Sequence, residues 1–145
     1  MDGREHNLRM TKLNPYLNFR DTARDAMEFY RSVFGGELTF TTFGDFGVSD
    51  DPAESTKIMH AQLVTEGDLT LMAADVPNRM ELSSGTNYSV SISGDDLPEA
   101  TLYWDRLAHG ATITAPFAQA PWGDTFGMLV DRFGVSWLFN VAGPS

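Results

Sequence analysis

"TARDAMEFYRSVFGG" at residues 22–36 and "DLPEATLYWDRLAHG" at residues 96–110 align without a gap, and the fold follows from that alignment. Each opens on a short oxygen side chain followed three residues later by an acid, Thr22 with Asp25 and Asp96 with Glu99. That is the form of a capping box, which satisfies the first free amides of a helix. Ala26, Phe29, Tyr30 and Val33 then recur at helical spacing, as do Ala100, Tyr103, Trp104 and Leu107, so each segment predicts a helix with one apolar stripe. Gly36 and Gly110 end both helices, because glycine takes left-handed backbone without a steric penalty. The aromatics of these stripes read as core.

Strand-like runs flank both helices. Residues 15–19 precede the first and 87–93 the second; 37–43, 57–65 and 69–74 follow the first, and 111–118, 125–131 and 135–141 the second. The order βαβββ, given twice, predicts an α+β fold in which two tandem modules form a cupped mixed sheet with helices on its outer face. The chain divides into an arm at 1–11, a first module at 12–74, a linker at 75–85, a second module at 86–141 and a tail at 142–145, with Met10 as an alternative start. The loop at 44–56 and the linker are rich in Gly, Pro and Asp, as turns are.

Twenty acidic residues against ten basic ones give a formal charge of -10, which repels phosphate backbones and anionic lipid surfaces. Nucleic-acid and membrane partners are therefore not expected. No apolar run approaches the roughly 20 residues that cross a bilayer, and the polar start lacks a signal-peptide core, so a soluble cytoplasmic protein is expected. With no cysteine there is no disulfide, thiolate metal site or cysteine nucleophile. The triplet Asn87–Ser89 matches a glycosylation sequon but lies in a strand pattern. Asp45, Ser49, Asp50 and Glu54 do not follow the order of a calcium loop and read as a solvated turn.

Period-two alternation separates the faces of each strand. Leu17 and Phe19, then Met59, Ala61 and Leu63, then Tyr88, Val90 and Ile92 form apolar sets that pack under helices. Tyr16, Asn18, His60, Gln62, Asn87, Ser89 and Ser91 fall on the opposite faces. Solvent-exposed faces would carry Lys, Glu and Arg; these carry neutral groups, the lining of an amphipathic pocket. In "VSWLFN" (135–140) one face likewise belongs to the core and the other to the pocket. Trp122 and Phe126 flank Gly123 and Gly127, so aromatic surface can lie over a ligand that approaches the backbone closely.

"NPYLNF", "EFYRSVFGGEL", "IMHAQL" and above all "PWGDTFGMLVDRFGVSWLF" resemble the PhnB-like branch of the vicinal oxygen chelate superfamily, the glyoxalase and bleomycin-resistance fold, over residues 12 to 141. The resemblance implies an eight-stranded cup that binds a small molecule and is completed by homodimerisation. In metal-dependent members, His and Glu ligands stand on the first and fourth strands of each module. Here those positions fall at Pro15 or Tyr16, Met72, Asn87 and Leu138, so the usual metal site is not carried over and no cofactor is predicted.

The chain has three histidines. His6 lies in the arm, His109 sits where it stabilises a helix C-terminus, and His60 is the candidate catalytic or hydrogen-bonding group. The expected function is binding of a small amphipathic molecule by Tyr16, Asn18, His60, Gln62, Asn87, Ser89, Trp122 and Phe126, with no reaction assigned. The alternative is a metal-dependent lyase or dioxygenase in which His60 coordinates a divalent ion at a shifted site. Some members of this branch are labelled methyltransferases; with no glycine-rich loop after a strand, that activity is not expected here.

Overall fold

The computed structural model describes residues 12–47, 51–65, 67, 69–83, 85 and 87–143. The first module runs β1 (Tyr16–Phe19), α1 (Ala23–Phe34), β2 (Glu37–Thr42), a short α2 (Pro52–Ser55), β3 (Ile58–Val64) and β4 (Thr70–Asp75). The second runs β5 (Val90–Gly94), α3 (Leu97–Leu107), β6 (Thr112–Gln119), β7 (Thr125–Val130) and β8 (Ser136–Val141). Two four-stranded sheets result, ordered β1-β4-β3-β2 and β5-β8-β7-β6. In each the first strand pairs parallel with the fourth, and the remaining pairs are antiparallel. This is the doubled βαβββ arrangement that the repeat predicts.

One apolar core serves both modules. On α1, Ala23, Ala26, Met27, Tyr30 and Val33 are buried, and α1 packs on β2, β3 and β4. On α3, Ala100, Trp104 and Leu107 are buried against β8. The halves meet through rings: Tyr30 lies 5.6 Å from Trp137, and Phe34 lies 5.5 Å from Trp137 and 4.9 Å from Tyr103. Burying each large side chain of this kind stabilises the fold by about 1.5–3 kcal/mol. Among the described residues no helix is long and apolar enough to cross a membrane.

Several local expectations are corrected. Thr22 stands at the N-cap of α1 without a side-chain cap bond. The buried carboxylate of Asp75 takes that role instead, accepting from Ala23 N and Ile58 N at 2.9 Å each, so it ties the start of α1 to the start of β3. Asp96 does cap α3, accepting from Glu99 N at 3.0 Å.

Gly35 follows α1 directly, with φ 74°. Gly36, at φ 103°, is required for closeness, because a Cβ there would run into the carbonyl oxygen of Val64. A register shift between Thr41 and Thr42 brings Ile58 into the core, leaving Met59 half-buried where alternation alone would have buried it. The loop expected at 44–56 contains a turn of 3-10 helix at Gly44–Phe46 and then α2. Asp45 closes the first of these by accepting from Thr42 N.

β5 begins at Val90, three residues later than expected. Tyr88 therefore does not pack under a helix but is 52% exposed, and Asn87 and Ser89 precede the strand. The linker is anchored: Arg20 donates to the carbonyls of Val76, Pro77 and Met80. Gly143 packs on the β6–β7 hairpin, its N–H donating to Asp124 Oδ1 at 3.1 Å. The arm at 1–11 with His6, and Ser49 and Asp50, lie outside the described residues.

Candidate functional site

Each sheet has a second face away from the helices. Register fixes its occupants, since residues directly across a ladder share a face. In the first sheet Tyr16 stands beside Met72, Met72 beside Gln62, Gln62 beside Thr39, and His60 beside Thr41. In the second, Ser91 stands beside Leu138, Leu138 beside Met128, and Asn140 beside both Ser93 and Phe126.

On the first face the structure joins Tyr16 to His60. Tyr16 Oη and His60 Nδ1 are 3.3 Å apart, and the rings are 5.8 Å between centroids. The phenol donates when His60 carries its proton on Nε2 and accepts when Nδ1 is protonated. Burial holds the Tyr16 hydroxyl above the usual phenol range, so it remains neutral. Gln62 is half-buried on the same face, and Asn18 is exposed beside Tyr16 on β1. Thr41 Oγ1 donates to the His60 carbonyl at 3.4 Å.

On the second face Trp122, at the β6–β7 hairpin, meets Phe126 edge-on at 6.1 Å. Trp122 is 65% exposed and free to cover a bound molecule. Gly123, at φ 101°, makes the turn. Asn140 is held by Asp124, whose Oδ2 accepts from Asn140 Nδ2 at 3.1 Å. Asn87 and Ser89, both exposed, lie ahead of β5 and belong to neither ladder.

Ser93 and Asp124 occupy or support these faces without having been singled out by sequence, whereas Asn140 lies on the face of "VSWLFN" opposite the core, where alternation puts it. Ser93 continues the alternation of Ser91 at the end of "NYSVSIS". Asp124 needed knowledge of the hairpin pairing. A cleft of about 560 Å³ lies along β1 and the linker and shares Tyr16 and Asn18 with the first face, its lining including Tyr88 and Phe133.

The run "DRFGVSW" is a structural hub rather than a wall of the sheet-face site. Asp131 is buried and accepts from Tyr30 Oη at 2.6 Å, Trp137 Nε1 at 2.9 Å, Phe133 N at 2.8 Å and Val135 N at 3.1 Å. Burial first, and then the charge of Asp131, push the Tyr30 hydroxyl far above the usual phenol range.

The metal centre that the resemblance implies would need His or Glu on the first and fourth strands. The register places Ser91, not Asn87, across from Leu138, so the four positions are Tyr16, Met72, Ser91 and Leu138. Phenol, thioether, hydroxyl and hydrocarbon side chains do not supply that donor set. Among the described residues no three His, Asp or Glu side chains converge. His109 lies just past α3, its carbonyl accepting from Arg132 at 2.9 and 3.1 Å.

Comparison with known proteins bears on the whole chain. A family described as 3-demethylubiquinone-9 3-methyltransferase matches residues 11–139. Protein PA1353 from Pseudomonas aeruginosa is 35% identical, with a TM-score of 0.77 over 91% of this chain and 98% of its own. Protein YjdN of Escherichia coli K12 is 29% identical over 89% of this chain and 94% of its own length. The fold is shared with the fosfomycin resistance protein FosX from Listeria monocytogenes, 15% identical with a TM-score of 0.60 over 93% of this chain and 94% of its own, solved as a mutant complexed with Mn(II) and a dihydroxypropylphosphonic acid. By the extent of the family match and the identity to PA1353, this chain belongs to the 3-demethylubiquinone-9 3-methyltransferase family, the PhnB-like branch of the vicinal oxygen chelate superfamily.

Proposed function

We propose that this protein binds a small amphipathic molecule on the faces of its sheets that the helices leave open, in a cup completed by a second copy of the chain. The observation that carries the reading is the Tyr16–His60 pair: two polar rings 3.3 Å apart at their heteroatoms, standing on a half-buried sheet face beside Met72 and Gln62. Such a face offers hydrocarbon contact with a few directed hydrogen bonds, which is how small-molecule sites combine affinity with orientation. Phe126, Met128 and Leu138 give the second face its apolar character, with Ser91, Ser93 and Asn140 as polar groups. Asn18, Asn87, Ser89 and Trp122 complete the rim in this reading.

No reaction is assigned. The methyl transfer in the family's description is not part of the reading, because no glycine-rich loop follows a strand in this chain. The second reading, a divalent ion held by His60, is separated from this one by metal analysis of the purified protein and of His60→Ala.

The test is a thermal-shift and calorimetry screen of the full chain against uncharged and charged amphipathic metabolites. A stabilising compound is expected, with affinity falling about tenfold in Tyr16→Phe and in His60→Ala, the loss of one hydrogen bond each. Light scattering is expected to give twice the chain mass of 16.0 kDa. Absence of any stabilised complex, or stoichiometric metal that disappears in His60→Ala, overturns the reading.

A further inference from the structure

None of the eight described strands contains a lysine or an arginine. Their charged residues are Glu37, which shares the open face with its partner Val64, and Asp75, which is buried under α1. Five of the eight basic side chains among the described residues are held elsewhere. Arg24 lies over Phe40 at 4.7 Å and Arg132 over Phe29 at 4.3 Å. Arg106 donates to Val33 O at 2.9 Å, Arg20 to the linker, and Lys57 pairs with Asp21 at 2.8 Å. An anion arriving on either open face would therefore find no countercharge from the strands, and it would approach a chain of formal charge -10.

A cation meets the reverse. The net field attracts it, and exposed aromatic rings stand ready: Tyr16 is 46% and Trp122 65% exposed, the latter braced edge-on by Phe126. Aromatic faces attract ammonium groups by about 0.5–1 kcal/mol when exposed and about 2 kcal/mol when desolvated. We infer that the molecule bound on the open faces is a cationic amphipath, its ammonium group seated against Trp122 and its hydrocarbon on the sheet. This rests on the ligand-binding reading above and adds the sign of the charge.

Three probes of one shape separate the alternatives: phenylpropyltrimethylammonium, its uncharged tert-butyl isostere, and phenylpropylphosphonate. Each is titrated into the full chain by calorimetry and by fluorescence of the exposed Trp122. At low salt the ammonium probe is expected to bind about tenfold more tightly than the phosphonate, with the isostere between them. Raising salt to about 0.5 M, where screening lengths fall to a few ångströms, is expected to compress that gap. Trp122→Ala, at an exposed hairpin position, is expected to bring the ammonium probe and the isostere to equal affinity. Phosphonate binding as tight as or tighter than the ammonium, or an unchanged ratio in Trp122→Ala, overturns the charge assignment while leaving the site standing, since a probe has bound. Binding of none of the three overturns the assignment together with the site.

Discussion

Asp131 accepts four hydrogen bonds from a helix, a strand and a turn, and a buried carboxylate with that many donors stabilises only while all are in place. Asp131→Asn presents an amide where a carboxylate accepted, and is expected to cost about 2–3 kcal/mol in urea unfolding. Tyr30→Phe is expected to cost about 1–2 kcal/mol at neutral pH. Its pH dependence has a sign. The folded-state hydroxyl is raised above the unfolded value of about 10, so its contribution is whole below that value and drains away above it, at up to about 1.4 kcal/mol per pH unit. The stability gap between the native protein and Tyr30→Phe should thus narrow from about pH 10 upward; a gap that stays constant across that value contradicts the bond. Alternation along "VSWLFN" tells which residues enter the core, but not that Trp137 reaches back to Asp131 or that Tyr30 joins them. The Tyr16–His60 pair was legible only as two residues on open faces, because their meeting depends on strand order, which local patterns do not encode.

At the scale of elements, the two glycines after α1 do different jobs. Gly35 has nothing within 4 Å of where a Cβ would stand and needs only its positive φ, whereas Gly36 faces the Val64 carbonyl. Gly35→Ala is expected to cost about 1–3 kcal/mol, because φ 74° with ψ −173° is backbone that glycine alone adopts readily. Gly36→Ala must displace β3 backbone as well and is expected to cost at least about 2 kcal/mol more; equal midpoints in denaturant would contradict the close approach. The helices were legible because a stripe of apolar residues at helical spacing has one reading. The start of β5 was not: "NYSVSIS" alternates from Asn87 onward, and only the pairing with β8 shows that the ladder opens at Val90. The cap of α1 escapes a local reading for a related reason. Asp75 reaches Ala23 across the module and does from a distance what Thr22 is placed to do locally.

For the whole molecule, a core shared by both modules predicts that they unfold together. Far-UV circular dichroism and the emission of buried Trp104 and Trp137 should give coincident urea transitions, and hydrogen exchange should protect β3 and β7 to the same limit. Separate transitions for the two halves would contradict the bridging role of Tyr30 and Phe34. The repeat also carries a difference. Gln62 and Met128 hold matching places, each across from the third residue of its module's fourth strand, and two residues earlier stand His60 and Phe126. One address in a duplicated frame therefore holds an imidazole in one half and a phenyl ring in the other. A guest spanning both has a head and a tail imposed on it, so its two end-to-end orientations are not equivalent. Two chains paired about a dyad, as proposed above, then hold two guests in opposite senses, not one shared on the axis.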